Sequence, residues 1–106
     1  MKMTTTDSLP GYEIIEVIDI ARGSTVRARH LGRDIFAGLK NIVGGEISEY
    51  TRLMADAREQ AIDRMIADAE GLQADGIINV RFATATVMQG CSEILAYGTA
   101  VKLRKN

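Results

Sequence analysis

Residue types that carry much of protein chemistry are scarce in this sequence of 106 residues. It has one cysteine, Cys91, one histidine, His30, and no tryptophan. A single thiol cannot close an intramolecular disulfide, which is typical of a protein that stays in a reducing cytoplasm. With one histidine, no nucleophile–base pair or triad can be assembled, so an enzyme is the least favoured class.

Charge of one sign and long apolar runs are also missing. The formal net charge is -1, which provides no electrostatic footprint for nucleic acid or an anionic membrane. No run approaches the ~18 apolar residues of a membrane-spanning helix, and the polar residues 4–8 leave no room for the apolar region of a signal peptide. These absences predict a cytoplasmic protein without nucleic-acid or membrane partners.

Proline occurs once, in Pro10-Gly11, and this pair ends a polar lead-in over residues 1–11 that we expect to be flexible. The chain is 46% hydrophobic and 25% charged, which is typical of a folded domain. No repeat or linker divides residues 12–106, so we predict a single domain there.

Residues 12–20 are rich in β-branched side chains and predict a strand. The acidic residues Glu13, Glu16 and Asp19 recur at every third position, which does not fit a two-faced strand and indicates a bend or bulge. Arg22-Gly23 should end this strand, and residues 25–29 are a weaker candidate for a second one.

Two helices are expected next. A short amphipathic helix opens at residues 32–34 and ends at Gly44-Gly45. Its apolar positions are Ile35, Phe36, Leu39, Ile42 and Val43. Residues 47–70 contain no proline or glycine, and Gly71 should stop this long helix.

The long helix has an apolar and a charged face. The apolar stripe consists of Ile47, Tyr50, Met54, Ala57, Ala61, Met65, Ala69 and Leu72. The opposite face consists of Arg52, Asp56, Glu59, Asp63 and Glu70. The alanines should let the helix approach a sheet or another helix closely, and methionines at this spacing are typical of a core.

Residues 76–88 and 93–103, joined by a link containing Gln89-Gly90, predict an antiparallel hairpin. One face of its first strand should hold Ile78, Val80, Phe82, Thr84 and Thr86. The other should hold Ile77, Asn79, Arg81, Ala83 and Ala85. The polar Asn79 and Arg81 suit a subunit contact or a wet pore.

Gly44-Gly45 is the first candidate site, because glycines and a helix N-terminus suit an anion. Glu46 could satisfy the same dipole, so a structural corner is the alternative and the one we favour.

Arg58 lies at the edge of the apolar stripe, where a charge needs a partner, and Asp34 could supply it. That pair is either a structural ion pair or part of a ligand pocket that includes Tyr50 and Glu46.

A metal site would use Cys91 and His30 with carboxylates. One thiol and one imidazole cannot close a tetrahedral site within a subunit, so symmetry would have to supply further ligands. Otherwise Cys91 is an ordinary residue of the hairpin turn and His30 is a solvated loop residue.

Five stretches together resemble a known family: residues 33–38 (RDIFAG), 42–46 (IVGGE), 50–58, 74–78 (ADGII) and 97–101 (YGTAV). Their order and spacing identify the chain as a member of the YbjQ-like family of small bacterial proteins. The family usually has a Gly-Ala-(Asn/Asp)-Ala pattern before the hairpin, where this chain has Gln73, Ala74, Asp75 and Gly76.

The resemblance implies an α+β fold: a dodecin-like β-α-β-β subunit, with a small antiparallel sheet packed on one long helix, that assembles into a ring of five. It also implies heavy-metal binding, with a divalent metal ion as the candidate cofactor. We expect a ring-forming homo-oligomer that binds a small ligand or a metal ion. A structural or interaction protein without a ligand, and a hydrolytic enzyme that holds an anion at Gly44-Gly45, are the alternatives.

Overall fold

The computed structural model describes residues 1–28, 42–43, 46–88 and 91–106. The elements in this part are β1 (Lys2–Met3), β2 (Tyr12–Ala28), β3 (Ile42–Val43), β4 (Glu46–Ile47), α1 (Ser48–Gly71), β5 (Gly76–Met88) and β6 (Cys91–Lys105). One sheet has the order β1-β5-β6-β2, and β3 pairs with β4 separately. Because β1 runs parallel to β5, the sheet is mixed and not wholly antiparallel as expected.

β2 is one continuous strand of 17 residues, so the predicted break at Arg22-Gly23 is wrong. The strand pairs with β6 along its whole length, from Tyr12 opposite Lys105 to Ala28 opposite Cys91. The predicted bulge is confirmed twice, by register shifts between Ile14 and Glu16 and between Val17 and Asp19. The acidic residues at every third position therefore mark irregular pairing within a strand.

Helix α1 packs on β2 and β6 through the predicted apolar stripe. Ala57, Ala61, Met65 and Ala69 are fully buried, and the predicted charged face is exposed. Thr25 Oγ1 donates to the carbonyl oxygen of Ala57 at 3.0 Å. This bond fixes the helix against the strand and satisfies the one polar side chain among the buried residues described.

The close approach of helix α1 explains why β2 has a glycine at position 23. A Cβ atom at this position would lie 2.3 Å from the backbone nitrogen of Met65 and 2.5 Å from the carbonyl oxygen of Ala61. The helix and strand backbones therefore touch here, which only a residue without a side chain allows. The predicted close approach of the helix is confirmed, and Gly23 is its counterpart on the sheet.

The helix ends at Gly71, as predicted, in a Schellman motif whose left-handed residue is Gln73, with φ of 61°. The Ala74 N–H donates to the Ala69 carbonyl at 3.0 Å and the Gln73 N–H to the Glu70 carbonyl at 2.9 Å. Both bonds satisfy carbonyl groups that a helix end leaves unpaired. Glycine is the residue that adopts this conformation at the lowest cost.

We expect Gln73→Gly to stabilise the protein by about 0.5–1 kcal/mol, because glycine removes the strain of a side chain at positive φ. Urea unfolding followed by circular dichroism measures the change. The control is Glu59→Gly on the exposed face of α1, which should destabilise by about 1 kcal/mol. Equal destabilisation by both glycines would contradict the assignment of the motif.

The hairpin β5–β6 is confirmed, but the face assignment along β5 fails at Asn79. This residue has φ of 54°, and the register shifts between Ile78 and Arg81, so that two residues of β5 oppose Gly98 alone. The bulge moves Val80 to the same side as the core residue Ile77. Simple alternation cannot continue through such an irregularity.

Residues 1–11, treated above as a lead-in, contribute strand β1 to the sheet. Lys2 pairs with Gly76 and Met3 with Ile77. The segment continues this pairing beyond β1, because the Asn79 N–H donates to the Thr6 carbonyl and the Val80 N–H to the Thr4 carbonyl, both at 3.0 Å. The start of the chain therefore covers one edge of β5 as far as Val80.

Ile42 and Val43, expected at the end of a short helix, form β3 opposite Ile47 and Glu46. The rest of that predicted helix lies outside the described residues. Glu46 belongs to a strand, and α1 begins at Ser48, so the expectation that Glu46 sits in the first helical turn is wrong. β-Branched residues on both sides of a two-residue glycine link favour a hairpin.

Candidate functional site

The sheet face turned away from α1, here called the outer face, carries large apolar side chains. Ala21, Gly23 and Thr25 are buried on the helix side, so alternation places Ile20, Arg22 and Val26 on the outer face. Ile20 is 59% exposed and Val26 is 52% exposed. Within the described part of the chain, no element covers these side chains.

A cavity of about 370 Å³ lies on the outer face where the strands are irregular. The residues that line it are Ile20, Asn79, Arg81, Tyr97, Gly98 and Thr99. They come from three strands in adjacent rows, with Ile20 opposite Thr99 and Tyr97 opposite Arg81. The volume is within the range of ligand pockets, roughly 300–1,000 Å³.

The bulge at Asn79 and the glycine at position 98 shape this cavity. A Cβ atom at Gly98 would lie 2.6 Å from Ile77 Cγ2 and 2.9 Å from the Ile78 carbonyl oxygen. The absence of a side chain lets β6 approach the bulged part of β5 closely. The pocket therefore depends on backbone geometry that Gly98 permits.

Arg81 is held in place at the rim of the pocket. Its Nη1 donates to the carbonyl oxygens of Thr5 at 2.7 Å and Val80 at 2.8 Å. No further partner of the guanidinium occurs among the described residues. An anchored arginine whose other N–H groups remain available suits a carboxylate or phosphate oxygen.

Of the six residues predicted to bind a ligand, only Arg58 has a described side chain. Asp34, Gly44 and Gly45 lie outside the described residues, and only the backbone is described for Glu46 and Tyr50. Both the anion loop and the ion pair with Arg58 therefore remain predictions. The Arg58 side chain is exposed, so burial does not oblige it to find a partner.

Of the two residues proposed for a metal site, only Cys91 lies in the described part of the chain. His30 lies outside the described residues, and Cys91 is a half-buried free thiol at the start of β6. Among the side chains that the structure describes, no group of three or more His, Cys, Asp or Glu residues could hold a metal ion. The described residues of one copy do not form a closed heavy-metal site.

Sequence reasoning noticed two of the six residues that line the observed pocket. Asn79 and Arg81 are the polar pair singled out on the hairpin, whereas the other four were missed as site residues: Ile20, Tyr97, Gly98 and Thr99. Tyr97 lies in the YGTAV stretch, and it is a 37% exposed aromatic side chain. An aromatic residue next to a glycine in a predicted strand was the sequence signal that could have identified Tyr97 as a site residue.

These features define a class of protein: a small α+β domain with a mixed four-stranded sheet, a long helix and a sheet face that no described element covers. The chain belongs to the YbjQ family, whose model matches residues 1–104 and is described as "Putative heavy-metal-binding". The match includes residues 1–11, in agreement with their place in the sheet.

Relatives in other organisms are similar over nearly their whole length. A "UPF0145 protein" from Halorubrum lacusprofundi is 57% identical over 98% of this chain and 100% of its own. Its counterparts are 56% identical in Archaeoglobus fulgidus, over 96% and 94%, and 51% identical in Thermosipho africanus, over 100% and 98%. The family therefore extends to archaea and is not confined to bacteria as the resemblance implied.

A crystal structure of a protein with unknown function from Pediococcus pentosaceus has a similar fold. The TM-score is 0.64 at 19% identity, and the match covers 98% of each chain. At this identity the likeness supports the fold alone. Among the described residues, no helix is both long and apolar enough to cross a membrane.

Proposed function

We propose that this protein is a cytoplasmic homo-oligomer whose copies join through the open edges of the sheet into a ring, and that each copy holds a small ligand on its outer face. A ring of five dodecin-like subunits is the form that the family resemblance supports. The observation that supports the proposal is the exposure of β2, a 17-residue strand at the edge of the sheet.

Exposed aliphatic side chains make β2 unsuited to remain free. Val17 is 64% exposed, and Ile15, Ile20 and Val26 are each more than half exposed. Long apolar edge strands pair with other chains unless they are covered or carry charges. A second copy of the same chain is the simplest partner that would cover such an edge in every cell that makes the protein.

In the described part of the chain, the opposite edge of the sheet is also partly open. β1 and the residues after it cover β5 as far as Val80, and no described strand pairs with β5 beyond this residue on that side. Two different open edges favour head-to-tail contacts, which close into a ring when the rotation between copies allows it. The Cα radius of gyration, 17.1 Å, exceeds the value of about 13 Å expected for a compact domain of this length.

A metal-ion version of this proposal needs ligands from more than one copy. Cys91 supplies a single soft ligand in the described part of the chain, and a tetrahedral site requires four donors. Ring symmetry would multiply this thiol around an axis. A small organic ligand needs no such multiplication, because the outer-face pocket lies within one subunit.

Native mass spectrometry of untagged protein, purified without added metal, tests the proposal. A ring mass is expected, and a non-covalent adduct would identify the ligand or the metal. A ring without an adduct, unchanged by added zinc or copper, would favour an interaction protein without a ligand. A monomer at cellular concentration would refute the assembly.

We expect Val17→Lys to dissociate the oligomer, because a charged side chain on an edge strand opposes pairing with another chain. Light scattering coupled to gel filtration measures the loss of mass. Ala67→Lys is the matched control, since it places the same charge on an exposed position of α1. The proposed interface is wrong if both variants keep the wild-type mass.

A further inference from the structure

Positive charge is concentrated around Tyr97 on the outer face. Tyr97 lies between two arginines in one row of the sheet, with Arg22 opposite it on β2 and Arg81 opposite it on β5. The neighbouring rows are uncharged: Ile20 with Thr99 and Ile78 on one side, Ser24 with Leu95 and Ala83 on the other. Arg81 is also the only charged residue among the described residues that line the cavity. This part of the surface therefore attracts anions.

The anchoring of Arg81 prepares its guanidinium for binding. Its Nη1 already donates to two carbonyl oxygens, so the side chain has lost much of the conformational freedom that binding would otherwise cost. The remaining N–H groups can pair with both oxygens of a carboxylate. Asn79 and Thr99 add an amide and a hydroxyl group to the lining.

The other walls are apolar. Ile20 and Tyr97 line the cavity with 59% and 37% of their surfaces exposed. A flat apolar body stacked on the Tyr97 ring would remove this surface from water. A bare inorganic anion would use the arginine and leave these walls uncovered.

We propose that the outer-face pocket binds a small aromatic carboxylate, with the carboxylate on Arg81 and the ring between Tyr97 and Ile20. The assignment rests on the proposed function, because it names the ligand class of that binding module. Arg22 contributes long-range attraction and does not line the cavity. Because Arg22 and Arg81 both pair with Tyr97 across the strands, one positive charge lies on each side of the Tyr97 ring.

Isothermal titration calorimetry with benzoate as the probe tests this assignment, and benzamide serves as its neutral analogue of the same shape. We expect benzoate to bind at least tenfold more tightly than benzamide, and Arg81→Gln to weaken benzoate about tenfold through loss of charge-assisted hydrogen bonds. Arg22→Gln should weaken it about threefold, since a charge nearby in water acts only weakly. Arg52→Gln, which removes an exposed charge from α1, should change nothing.

Three results would overturn the assignment: no heat with benzoate, equal affinity for benzamide, or unchanged affinity in both Arg81→Gln and Arg22→Gln. Inorganic phosphate that binds as well as benzoate would also overturn it, because the apolar walls would then contribute nothing. If Arg81→Gln lowers the melting temperature, the affinity of Arg22→Gln for benzoate decides the test, since the Arg22 side chain makes no described contact that supports the fold.

Native mass spectrometry on the same samples separates this inference from the proposed assembly. A ring that does not respond to benzoate refutes the ligand class and leaves the assembly intact. A monomer that binds benzoate with the expected dependence on Arg81 refutes the assembly and supports the pocket.

Discussion

Replacement of Gly23 by alanine is expected to cost about 3 kcal/mol, the upper end of the range for overpacking. The added methyl group would meet backbone atoms alone, at 2.3 Å from Met65 N and 2.5 Å from Ala61 O. Backbone cannot rotate away as a side chain can, so the helix must move off the sheet as a unit. That movement would also stretch the bond from Thr25 to the Ala57 carbonyl.

Gly71→Ala is the matched control for Gly23→Ala. Gly71 is helical, and a Cβ atom there would have no neighbour within 4 Å. The same substitution should therefore stabilise the protein by about 0.5–1 kcal/mol, because alanine is the better helix former. Urea unfolding at one fixed protein concentration measures both, since association would contribute to stability. If the two variants change stability in the same direction, the backbone contact at Gly23 is wrong.

The second large effect is expected at Met65, whose side chain is fully buried and among the largest in the core. Met65→Ala should cost about 2–5 kcal/mol, because it removes buried apolar surface and leaves a cavity. The neighbouring core residues are mainly alanines such as Ala21, Ala61 and Ala96, whose short side chains cannot move to fill the space. Thermal and urea unfolding should both show the loss.

Met3→Ala makes the same chemical change at a position that is 40% exposed. It should cost less than about 1 kcal/mol, as usual for partly exposed sites. A cost at Met65 no larger than that at Met3 would show that the core tolerates the cavity, contrary to the close packing of α1 on the sheet.

The long helix and the hairpin were predictable because their patterns are local. The stripe containing Ala57, Ala61, Met65 and Ala69 repeats at helical spacing, and burial follows it. The hairpin is marked by two β-rich runs and a short link, which need no information from the rest of the chain. The bulges in β2 were also predictable, since Glu16 and Asp19 break its alternation.

The errors have a common physical origin in contacts between distant segments. Gly23 was predicted to end the strand. The contacts that require glycine there are with the backbone of Met65 and Ala61, which are distant in the sequence. Gln73 and Asn79 adopt positive φ, although neither is the glycine that local rules would choose first. Tyr97 and Ile20 become part of a pocket only when β6 lies between β2 and β5.

The pairing of β2 with β6 dictates the order in which the chain can fold. Tyr12 pairs with Lys105 and Ala28 with Cys91, so β2 must wait during synthesis until β6 has been made. Until then β2 has no strand to pair with, and such waiting strands fold slowly and are prone to aggregate. The chain should therefore depend more on chaperones during its synthesis than its small size would suggest.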